Sequence, residues 1–132
     1  NKLIGLGNLK NLTLEGNQLI RLDVNSFKHL KSLELLALLK NNLTGFNPNI
    51  FHTLVNLKSL FIDHNLITHL EPRTFSHLTK LPTLSITHNP IASISSNLFE
   101  DLQSLTDLAL GATKITSLDP ITFRNLKNLK NL

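Results

Sequence analysis

The stretch LKSLFIDHNLITHLEPRTFSHLTK, Leu57–Lys80, decides the fold, because its frame recurs on both sides at intervals of 24 residues. Within it, Leu57, Leu60 and Ile62 follow the spacing L-x-x-L-x-L, Asn65 comes three residues later, and Ile67, Leu70, Phe75 and Leu78 complete the apolar set. Leu60 and Ile62 flank Phe61 with the period of two that a short strand requires, so they point to one side and Phe61 to the other. Asn65 falls where the strand must turn. Once buried, its amide offers two donors and an acceptor to backbone groups that the turn leaves without partners.

Four further copies, Leu9–Ser32, Leu33–Asn56, Leu81–Ser104 and Leu105–Asn128, align with this one without insertion or deletion. The aromatic column reads Phe27, Phe51, Phe75, Phe99 and Phe123, and the amide column Asn17, Asn41, Asn65 and Asn89, with Thr113 in the fifth copy. No copy can bury its apolar side alone, so the copies must stack into one continuous core with rungs about 4.8 Å apart along the sheet. The expected architecture is one α/β solenoid over residues 1–132, with a curved parallel sheet on the concave face and short turns or 3-10 segments on the convex face. Pro48, Pro72 and Pro120 recur at the matching place on the back, where a preset φ suits a tight turn. Residues 1–8 read as the tail of a preceding unit, with Leu3 and Leu6 in the Phe27 and Leu30 columns, and residues 129–132 as the start of another. Without polar caps, these ends predict a piece cut from a longer array.

Composition narrows the function. The 132 residues include no cysteine, which removes disulfides, thiolate nucleophiles and Cys-ligated zinc together. No apolar run approaches the roughly 18 residues of a membrane span, so this segment is expected to make no membrane contact. The net charge of +4 is modest, and the absence of Tyr and Trp leaves few platforms for base stacking, so no nucleic acid is expected as a partner.

The outward positions nominate a binding face. The second copy places Leu35 and Leu39 outward beside the inward Leu33, Leu36 and Leu38, and the third adds Phe61, Asp63 and His64. Three large apolar residues on adjacent rungs, with Lys40, Asp63, His64 and His88 beside them, have the anatomy of a binding patch. Asp63, flanked by Lys40 and His64, is expected to orient the ligand. Scattered exposed Leu and Phe are ordinary on any surface; the coincidence on neighbouring rungs carries the reading. The fifth copy shows Asp107, Ala109, Gly111 and Ala112, none of them large, so binding is expected to centre on the second and third rungs. His64 and His88 stand one rung apart near Asp63, but no nucleophile or third orienting group can be placed with them, and neither catalysis, a metal nor a cofactor is expected. Asn11 and Asn42 open N-x-T sequons. On the descending flank, Lys28, Lys31, Lys58, Lys80, Arg124, Lys127 and Lys130 outnumber Glu100 and Asp101, a balance that suits sulfated glycans or, more plainly, a solvated flank.

The frame LxxLxLxxNxIxxLxPxxFxxLxx, as it stands in Leu57–Lys80, resembles the typical-class leucine-rich repeats of animal extracellular proteins such as Toll-like receptors, matrix proteoglycans and leucine-rich-repeat G-protein-coupled receptors. The order of features, LEGN at Leu14–Asn17, HNP at His88–Pro90, then a copy with Thr113 in the amide column ending FRNLKNL, looks most like the relaxin-type receptors. That resemblance implies a glycoprotein ectodomain outside the cell whose concave acidic and apolar side chains hold a peptide hormone for signal transduction. Glu15 sits at a family acidic position, whereas Thr13, Ser59 and Phe61 depart from the acidic pattern. Two alternatives stand beside it: a Toll-like pattern-recognition ectodomain, and a matrix or adhesion module that binds glycans through its basic flank.

Overall fold

The computed structural model describes residues 3–132; Asn1 and Lys2 of the opening partial unit lie outside them. Five strands, β1 (Asn11–Thr13), β2 (Leu35–Ala37), β3 (Ser59–Phe61), β4 (Thr83–Ser85) and β5 (Asp107–Ala109), form one parallel sheet in chain order. The register advances by one whole unit per strand: Leu12 faces Leu36, Leu36 faces Leu60, Leu60 faces Leu84 and Leu84 faces Leu108. Asp107 pairs in turn with Asn131. Each strand is only three residues long because the chain must leave the sheet at once to return over the back.

Pairing nevertheless continues past the formal strand ends. The Ile62 and His64 amides donate to the Ser85 and Thr87 carbonyls at 2.8 and 3.0 Å, and Lys40 donates to the Asp63 carbonyl at 3.1 Å. The column that follows each strand, Gly16, Lys40, His64, His88 and Ala112, turns with φ of +70°, +52°, +54°, +53° and +52°. This left-handed step costs a non-glycine residue strain, which the bonds on either side offset.

Inside, Leu57, Leu60, Ile62, Ile67, Leu70, Phe75 and Leu78 of the third copy are fully buried, the set that the spacing selected. The phenylalanine column forms a continuous stack, with centroids 6.4, 6.1, 6.4 and 6.3 Å apart from Phe27 through Phe123. Those steps exceed the roughly 4.8 Å between paired strands, so the back is the longer arc and the sheet lines the concave side. The back consists of turns and one 3-10 segment, Pro120–Phe123, capped by the Asp119 carboxylate on the Ile121 amide at 3.0 Å. Phe123 is only half-buried.

The amide column is structural in the middle and not at its start. Asn65, 4% exposed, accepts the Leu43 amide at 3.1 Å and donates to the carbonyls of Leu38, Ile62 and Asp63 at 3.0, 2.9 and 3.2 Å. Asn41 and Asn89 repeat the arrangement. Asn17, expected in the same role, is exposed: its side-chain amide donates to the Glu15 carbonyl at 3.1 Å, and its backbone amide donates to Asn41 Oδ1 at 3.0 Å. Among the described residues, no helix is long and apolar enough to cross a membrane.

Candidate functional site

The concave face carries the columns that alternate with the core. Of the residues expected to bind, Leu35 and Phe61 lie on strands β2 and β3 and the others follow the strands; several are already engaged. Leu35 and Leu39 are half-buried rather than exposed. Leu35 stands between Asn11 and Ser59 in the register, and Leu39 lies on the rung between Glu15 and Asp63, so their neighbours cover part of each side chain. Phe61 is also half-buried. Its register partners, Ala37 and Ser85, are small and leave the outer part of the ring uncovered.

Asp63 corrects the expectation most. Only 6% exposed, its Oδ1 accepts the Thr87 amide at 3.0 Å, the Thr87 hydroxyl at 2.6 Å and the Ser85 hydroxyl. It ties the third rung to the fourth and is not free to orient a ligand. Lys40 turns the other way, its Nζ 2.8 Å from Glu15 Oε1, and this bond raises the lysine pKa. The charges that sequence reasoning grouped around Asp63 therefore fall into two separate contacts. The hydroxyl donors 22 and 24 residues beyond Asp63 were the available signal.

His64 and His88 do come together, both exposed, with rings stacked at 4.1 Å and 13° apart. Thr87 gives its hydroxyl hydrogen to Asp63, so the 3.2 Å contact between Thr87 Oγ1 and His88 Nδ1 is one in which the imidazole donates. In the neutral ring that leaves His88 Nε2 as an acceptor. Stacking at 13° holds the two rings, and so their in-plane lone pairs, in separate, nearly parallel planes with centroids 4.1 Å apart.

Sequence reasoning missed the fourth and fifth rungs. There the small side chains of Thr83, Ser85, Ala109 and Gly111 leave a hollow of about 580 Å³, with Phe61 on one side and Leu132 on the other. Asp107 is its charged group, its pKa lowered chiefly by the hydrogen bond from the Thr106 hydroxyl and then by that from the Asn131 amide. The absence of bulk, from which the sequence placed binding on other rungs, becomes a depression once the larger Phe61 stands beside it.

At the entry edge of the sheet, Glu34 sits between Lys10 and Lys58 at 3.4 and 2.7 Å. Its pKa is lowered, first by the hydrogen bond from Lys58, then by that from Lys10. A carboxylate whose folded pKa lies below its unfolded one stabilises the fold above the unfolded value and loses that contribution as pH falls through the folded value. Acid titration of thermal stability is therefore expected to show less loss below about pH 4.3 in Glu34→Gln than in the parent, the unperturbed glutamate value setting the upper edge of the window. Identical profiles for the two proteins would deny Glu34 this role.

Four features now coincide: a 24-residue register, a buried amide column, a phenylalanine stack and a concave parallel sheet. The leucine rich repeat family model matches residues 7–67, 40–91 and 80–132. The chain belongs to the leucine-rich repeat family. This leucine-rich repeat chain is similar to the crystal structure of the TLR13–ssRNA13 complex, with a TM-score of 0.90 and 37% identity over 95% of this chain. It is also similar in fold to the APL1 leucine-rich repeat domain, with a TM-score of 0.85 and 23% identity over 96% of this chain. It spans 18% of the first of those chains and 33% of the second. No curated protein sequence matches it.

Proposed function

We propose that this leucine-rich repeat chain is an extracellular, non-catalytic recognition module that binds a peptide or protein segment on its concave face, as part of a receptor ectodomain. The observation that supports it is the run of that face from the half-buried Leu35 and Leu39, past Phe61, into the hollow over β4 and β5. Along that run apolar surface lies beside the polar and charged groups of Glu15, Lys40, His64, His88 and Asp107, the mixture that protein interfaces use. Of the receptor types, relaxin-type hormone binding rests on the order of sequence motifs, whereas the likeness to TLR13 favours the Toll-like arrangement. The TLR13 structure holds single-stranded RNA. A peptide or protein suits this face better, since the chain has no Tyr or Trp and Phe61 is the one phenylalanine on its strands. In a secreted protein the exposed Asn11 and Asn42 are glycan acceptors, and only Asn11 lies on a strand of the binding face.

Panning a displayed random-peptide pool against the protein tests the reading. Peptides so selected are expected to lose about 2 kcal/mol of affinity on Phe61→Ala, the size of an interface hot spot, and to bind Lys28→Gln unchanged. Selected peptides that ignore Phe61→Ala and compete instead at the lysine-bearing flank would overturn it.

A further inference from the structure

The entry edge of the sheet holds a second candidate surface, on the side of the strands where each rung begins. A groove of about 420 Å³ there is lined by Lys10, Ser32, Glu34, Asn56, Lys58 and Lys80. Lys10, Glu34 and Lys58 each immediately precede a strand, so they stand on three successive rungs. The two lysines share one carboxylate, at 3.4 and 2.7 Å, which leaves a cation in excess. Lys80 adds another: its Nζ donates to Asn56 Oδ1 at 3.2 Å, and among the described residues no carboxylate pairs with it. The Ser32 hydroxyl has no hydrogen-bond partner among the described residues.

We propose that this groove binds a sulfated polysaccharide, with Lys10, Lys58 and Lys80 holding sulfate groups and Glu34 acting as an internal counter-anion that limits the affinity. Lys10 and Lys58 are near enough to share the Glu34 carboxylate, but Lys80 springs from a rung three beyond Lys10, about 14 Å along the sheet, a span that one small anion cannot bridge but a linear polymer with repeated charges can. All three are lysines, compact ammonium charges that hold oxyanions without the planar fork of arginine. Ser32 and Asn56 between them offer neutral polar contacts to sugar hydroxyls. No aromatic ring lines the groove, so a nucleic acid would gain backbone contacts there but no stacking. The surface is separate from the concave hollow and does not depend on the peptide-binding reading.

Calorimetric titration of the intact protein tests this, using a heparin-derived octasaccharide, its desulfated counterpart and an oligothymidylate of matched charge. The sulfated octasaccharide is expected to bind, to weaken between about 50 and about 150 mM salt as the Debye length shortens, and to lose binding on desulfation. Lys58→Gln and Lys80→Gln should each weaken it about threefold, and Glu34→Gln should tighten it about threefold, the scale of exposed ion pairs. Lys114→Gln, which lies outside the groove, should leave it unchanged, and thermal melts of each variant separate binding from folding. No binding of the octasaccharide, a loss of affinity in Glu34→Gln, indifference to Lys58→Gln and Lys80→Gln, or equal binding of the oligothymidylate would each overturn the proposal.

Discussion

Phe75→Ala is expected to destabilise the fold by about 3–5 kcal/mol, the largest effect of any single substitution considered for this chain. The ring is fully buried and stacked between Phe51 at 6.1 Å and Phe99 at 6.4 Å, with interplanar angles of 18° and 9°. Removing it takes the transfer energy of an aromatic side chain and leaves a void flanked by two rings. Those rings are held by their own rungs. The void can close only if the back of the solenoid shortens, which the paired strands on the other side resist, so relaxation recovers little. Phe61→Ala makes the contrast, because that ring is half-buried between Ala37 and Ser85 and points away from the core. Denaturant titration of the two variants should place the Phe75→Ala midpoint far below that of Phe61→Ala. Similar midpoints would mean that the phenylalanine stack is not where the core is held.

The second large effect belongs to Asn65. Replacing it by alanine strands the Leu43 amide and removes the side-chain donor to the Leu38, Ile62 and Asp63 carbonyls, in a site only 4% exposed. The carbonyls keep donors in the Asn41 and Asn89 amides and the Lys40 backbone, so the Leu43 amide is the group left unpaired, and the loss should fall at about 1–3 kcal/mol. Asn42→Ala, one residue beyond the same column in the preceding copy, is the control. Asn42 is exposed, and its backbone amide keeps its bond to the Leu19 carbonyl at 2.8 Å whatever the side chain, so the change should stay within about 0.5 kcal/mol. Asn17→Ala should resemble the control more than Asn65→Ala, since Asn17 is exposed. Equal midpoint shifts for Asn65→Ala and Asn42→Ala would show that the amide column does not hold the turns.

The two proposed surfaces differ in what perturbs them. Apolar contact at Phe61 and the hollow survives added salt, because burial of carbon surface does not depend on screening. The groove of Lys10, Lys58 and Lys80 responds to salt and to the charge of Glu34. A partner that loses affinity with salt and gains it in Glu34→Gln is bound at the edge; one indifferent to both but sensitive to Phe61→Ala is bound on the concave face.

Sequence alone determined which residues face inward, because an interval of 24 residues combined with a strand period of two assigns every Leu, Ile and Phe column to one side before any contact is known. The burial of Leu57, Leu60, Ile62, Ile67, Leu70, Phe75 and Leu78 and the strand register follow from that arithmetic. Tertiary structure decided which outward groups remain available. Asp63 reaches Ser85 and Thr87 on the next rung, Lys40 reaches Glu15 on the previous one, and Glu34 is shared by Lys10 and Lys58, all partners 22 to 25 residues away in sequence. The periodic pattern places such groups on neighbouring rungs but not in contact, because a polar side chain can turn toward either neighbour or toward water at similar cost. Curvature makes the final choices: it draws His64 and His88 to 4.1 Å on the short arc and spreads the phenylalanines beyond 6 Å on the long one, and only the stacked array has that curvature.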